Sequence, residues 1–95
     1  MACGFIGIVT LGVRLPHAAT LKDRRSALAV MRTALERRFG ASVAEVGDGQ
    51  LTAAIVQRST AEWDRRVAEL EAWVDGLEPP VAIGQFRVVT PEDLA

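Results

Sequence analysis

From Phe5 to Leu15 the odd positions are Phe5, Gly7, Val9, Leu11, Val13 and Leu15, while Thr10, Gly12 and Arg14 fall on even ones. A period of two with β-branched enrichment predicts a strand whose odd face meets the core, closed by Pro16, which cannot donate to a sheet ladder. Thr20-Leu21-Lys22-Asp23 has the form of a capping box, and Leu21, Ala27, Leu28, Met31, Leu35 and Phe39 then fall within one apolar arc of a helix that Gly40 ends. Ser42–Val46 and Leu51–Gln57 read as a hairpin around Gly47-Asp48-Gly49. Ser59-Thr60-Ala61-Glu62 repeats the capping pattern before a second helix, carried by Trp63, Val67, Leu70, Val74 and Leu77 and ended near Gly76 and Pro79-Pro80. Val81–Val89 is a last strand, and residues 91–95 read as a frayed polar tail of a single domain over residues 1–95.

The order βαββαβ predicts an α+β, ferredoxin-like sandwich, with two helices on one face of a four-stranded antiparallel sheet and the other face left open. In that arrangement Ile6, Ile8 and Thr10 face away from the helices, with Val43 and Ile83 expected beside them. Monomers rarely leave such a patch wet, so a homodimer through this face is the expectation.

With 95 residues, 49% of them apolar, there is one core and no room for a second. The apolar run from Phe5 to Val13 is far short of a membrane span, and the opening Met1-Ala2-Cys3-Gly4 lacks the charged region of a signal peptide. Cys3, the only cysteine, has no partner for an internal disulfide and belongs to no Cys-x-x-Cys, which suits a reducing cytoplasm and offers neither zinc nor redox chemistry.

The formal net charge of -1 argues against a DNA-coating protein and leaves no DNA partner expected. Its distribution is uneven: residues 1–47 hold seven basic and three acidic side chains, and the remainder four and nine. On the first helix Arg25 and Arg32 lie within about 20° of each other, Lys22 is farther round, and Arg24 sits in the apolar arc, where its stem must snorkel. Lys22, Arg24, Arg25 and Arg32 are therefore the candidate anion- or RNA-binding face. The competing reading is a solvated helix face with Arg32 paired to Glu36.

No catalytic constellation is visible, so no enzyme is expected. His17, the only histidine, has no identifiable triad partner and reads as a solvated loop residue; Cys3 has none either. Pro16-His17-Ala18-Ala19 lacks the glycine and arginine that hold phosphate in acylphosphatases and the paired cysteines of heavy-metal carriers of this fold. Leu51–Gln57 offers no aromatic on which to stack a base. Gly4-x-x-Gly7 opens a strand rather than a helix and is no phosphate loop. Trp73, about 80° off the stripe of the second helix, reads as edge packing beside Arg66. No cofactor or metal is expected.

The stretch Leu15-Pro16-His17-Ala18-Ala19-Thr20-Leu21-Lys22-Asp23-Arg24-Arg25-Ser26, continued by Arg37-Arg38-Phe39 and Ser42-Val43-Ala44-Glu45-Val46, resembles the YlxP-like family of small bacterial proteins of unknown function. Where that family carries a longer polar hairpin turn, this chain has Gly47-Asp48-Gly49-Gln50. The resemblance implies a ferredoxin-like fold and a cytosolic protein often encoded beside genes for transcription and ribosome maturation. The expectation is thus a non-enzymatic cytoplasmic binding protein associated with RNA or a ribosomal particle. The alternative is a small-molecule-sensing or structural interaction domain using the open sheet face or a dimer cleft.

Overall fold

The structure, a computed structural model, describes residues 4–15, 20–77 and 80–94. The elements are β1 (Phe5–Val13), α1 (Leu21–Phe39), β2 (Ser42–Gly47), β3 (Gln50–Gln57), α2 (Thr60–Asp75), β4 (Val81–Val89) and α3 (Pro91–Leu94). The strands form one antiparallel sheet in the order β2-β3-β1-β4. α1 packs on β2 and β3, and α2 on β3 and β4, which is the ferredoxin-like arrangement. Cys3, the loop Pro16-His17-Ala18-Ala19 and Pro79 lie outside the described residues.

The helix starts follow from local hydrogen bonding. The Thr20 N–H donates to Asp23 Oδ2 at 3.0 Å and the Asp23 N–H donates to Thr20 Oγ1 at 3.1 Å, closing the capping box. The first bond above all, and then the contact with the Thr20 side chain, hold the Asp23 carboxyl below the usual carboxylate range. At α2 only half of the expected box forms. The Glu62 N–H donates to Ser59 Oγ at 3.1 Å, but the Glu62 carboxylate accepts from Arg58 Nε, also at 3.1 Å, instead of turning back to the cap. Gly40 ends α1 in the left-handed region, φ 62°.

Residues 91–94 are a helical turn where a frayed tail was expected. Thr90-x-x-Asp93 repeats the signature of Thr20-x-x-Asp23: the Thr90 N–H donates to Asp93 Oδ2 at 2.9 Å, and this bond, followed by that from the Thr90 hydroxyl, keeps the Asp93 carboxyl low.

Val9 and Leu11 of β1 form the centre of the core with Leu51, Ala53 and Ile55 of β3, Leu28, Met31, Leu35 and Phe39 of α1, and Trp63, Leu70 and Val74 of α2. Val13 and Val67 are half-buried against it. Gln57 is also in this layer, 1% exposed, opposite Phe5, and among the described residues neither of its amide atoms has a hydrogen-bond partner.

Two residues expected on the open face belong to the helix face instead. Val43 pairs with Ala53, which is completely buried, and α1 covers both. Ile83 pairs with Leu11 and packs on the core because β4 is bulged. Thr10 pairs with Gln85 and Leu11 with Ile83, so Gly84 is an extra residue, and one inserted residue turns every side chain beyond it to the opposite face. A Cβ at Gly84 would stand 2.8 Å from Thr10 Oγ1, which is why the bulge falls on glycine.

Trp73 packs on Phe39, ring centroids 5.6 Å apart, and its cation is Arg38 of α1, 5.4 Å from the ring centroid. Arg66, the expected neighbour, instead pairs with Glu69 at 3.8 Å.

Candidate binding surfaces

The first two turns of α1 place Lys22 and Arg25 three residues apart, hence side by side on the helix surface. Both are exposed, and neither has an ion pair among the described residues. Arg24, one position away, is half-buried as its place in the apolar arc requires, and its guanidinium reaches Asp48 of the hairpin turn at 3.9 Å. Arg32 does not join them. It lies two turns farther along and pairs with Glu36 at 3.6 Å. Both pairs are long and solvent-exposed, so each contributes about 1 kcal/mol or less.

The structure adds a cation that sequence patterning passed over. Arg14 follows the last residue of β1, its N–H donates to the Pro80 carbonyl at 2.9 Å, and its side chain is exposed. Arg14 and Asp48 line the same recess at this end of the sheet, so Asp48 stands between Arg14 and Arg24. The local signal was its even position at the end of β1. The non-local part, that the hairpin turn comes back to this end, follows from the pairing of Gly12 with Gln50. The amino terminus of α1 adds little to these four cations, because the Asp23 carboxylate of the capping box already sits against it.

The open sheet face is built of cross-strand rows. Val56, Ile6 and Val89 form the first, Ala54, Ile8 and Arg87 the second, Thr52, Thr10 and Gln85 the third, and Gln50, Gly12 and Ala82 the fourth. The face is therefore graded: aliphatic at the Ile6 end, where Val56 is 75% exposed, and small and polar at the Gly12 end. The recess of about 440 Å³ opens at the latter. A second depression, about 290 Å³ and apolar, lies between the helices against Ala27, Val30, Met31, Trp73, Leu77 and Val81. Among the described residues no helix is long and apolar enough to cross a membrane.

These features define a small ferredoxin-like α+β domain with a cationic end and a graded open sheet face. The chain belongs to the family described as Protein of unknown function (DUF503), whose model matches residues 6–87. No curated protein and no solved structure matches it.

Proposed function

We propose that this is a YlxP-like cytoplasmic protein, without enzymatic activity, that binds RNA, free or within a ribosomal particle, through its cationic end. The observation that carries this reading is the pair Lys22 and Arg25, exposed and free of ion pairs among the described residues, at the amino end of α1. Arg24 and Arg14 flank the hairpin turn beside them. Phosphate attracts such a group without requiring a base-reading surface. Arg32, held by Glu36, is a peripheral member.

Lys22→Glu combined with Arg25→Glu is expected to weaken binding of a single-stranded RNA at low salt by about tenfold or more. Acidic side chains are favourable in the first turns of a helix, so the double variant keeps its fold and the loss reads on binding. Equal affinity of variant and wild type in a filter-binding or anisotropy titration would remove the cationic end from the account.

The aliphatic end of the sheet face supports a second reading, a homodimer or structural interaction domain. Ile6 and Ile8, flanked by Val56 and Val89, make an apolar patch too costly to leave wet, while Thr10 borders the recess. Sedimentation should then show a dimer at micromolar concentration, shifted toward monomer by Ile8→Lys. A wild-type monomer at that concentration contradicts it.

A further inference from the structure

The recess at the Gly12 end of the sheet face has a bare floor. Among the described residues nothing lies within 4 Å of where a Gly12 side chain would begin, Ala82 pairs with Gly12 across the strands, and the bulged residue of β4 is Gly84. Its rim is mixed: Thr10, Gln50, Asp48 and Arg14 bring polar groups, and the exposed Val46 stands beside them. The groove between the helices, lined mainly by aliphatic side chains and Trp73, is the more apolar of the two, and the polar side chains gather at this recess.

We infer that the recess is a nucleoside phosphate site, taking one base with its sugar from the RNA proposed above or from a free nucleotide. A volume of about 440 Å³ is of the size of small-molecule sites and too small for a folded segment. Gly12 leaves this part of the floor without a side chain, so a planar base can approach the strand backbone closely there. Gln50 presents both a donor and an acceptor, Thr10 a hydroxyl, and Asp48 an acceptor for base amino or ribose hydroxyl groups. The phosphate belongs on the Arg14 side, away from the Asp48 carboxylate, which Arg24 faces at 3.9 Å. The inference rests on the RNA reading for its ligand class but has its own residues.

The test compares nucleoside 5′-monophosphates, inorganic phosphate and a short single-stranded RNA, followed by amide chemical shifts in wild type and Gly12→Val. Valine suits a strand and meets open space at this position, so the variant folds while its side chain fills the floor. The mononucleotides are expected to shift Arg14 together with Thr10, Gly12 and Gln50, inorganic phosphate only Arg14, Lys22 and Arg25, and Gly12→Val to weaken the mononucleotides by about tenfold. Mononucleotide and phosphate shifts confined alike to Arg14 and α1, or unchanged mononucleotide affinity in Gly12→Val, overturn the recess while leaving the cationic end standing. Recess shifts with mononucleotides but no RNA binding support the recess, identify a free nucleotide as its ligand, and overturn the RNA reading instead.

Discussion

Leu35→Ala is expected to lower the unfolding free energy by about 2–5 kcal/mol, read as a fall in the denaturant midpoint with little change in slope. Leu35 is completely buried, on the α1 face that rests on β2 and β3. Deleting its branched end removes aliphatic surface from the core and leaves a void, because the sheet beneath it is fixed by hydrogen bonds on both sides of β3 and cannot collapse inward. Small domains have modest total stability, so a loss of this size unfolds a large share of the molecules at 37 °C. A loss below about 0.5 kcal/mol, the range of ordinary surface changes, would contradict the placement of α1.

Gly7→Val is the second large effect, and it acts through excess volume. Trp63 lies across Gly7 so closely that any Cβ there would overlap three atoms of its six-membered ring. Trp63 cannot swing aside freely: it is buried, and its ring meets Phe86 edge-on at 6.1 Å. The strand cannot drop away either, since β1 is paired with β3 on one side and β4 on the other. The expected cost is at or above the upper end of the roughly 1–3 kcal/mol typical of overpacked cores. Gly12→Val in the same strand is the control, because it adds the same atoms over open space. Equal thermal stability of the two variants would show that Trp63 does not lie on Gly7.

Much of this fold was legible in the sequence because its signals are local. The periodicity of Phe5–Leu15, the Thr20 and Ser59 caps and the apolar stripes of both helices depend on residues within a few positions of one another, and the elements they predict agree with the structure to within two residues. What escaped was set by contacts distant in the chain. The β4 bulge is a single inserted residue, a glycine where a side chain would meet the Thr10 hydroxyl some seventy positions earlier, and it moves Ile83 to the helix face. Val43 was misplaced because alternation gives two faces without saying which one α1 covers, a matter of the register with Ala53. Gln57, the last residue of β3, is buried opposite Phe5, a placement its polarity does not announce. Thr90-x-x-Asp93 carried a legible cap that its brevity and polarity disguised.

The candidate site divides in the same way. Helical phase was enough to expose Lys22 and Arg25 and to half-bury Arg24, and the i, i+4 spacing announced the Arg32–Glu36 pair. The Arg24–Asp48 contact, the place of Arg14 and the glycine-floored recess require the hairpin turn to be folded back onto the end of β1, which no local pattern states.

The salt dependence of single-stranded RNA binding by the unmodified protein tests the central claim most directly. Contact through Arg14, Lys22, Arg24 and Arg25 predicts affinity falling with a log-log slope of about -2 to -3 as displaced counterions accumulate. Absence of binding at low salt, or an affinity indifferent to salt, would contradict it.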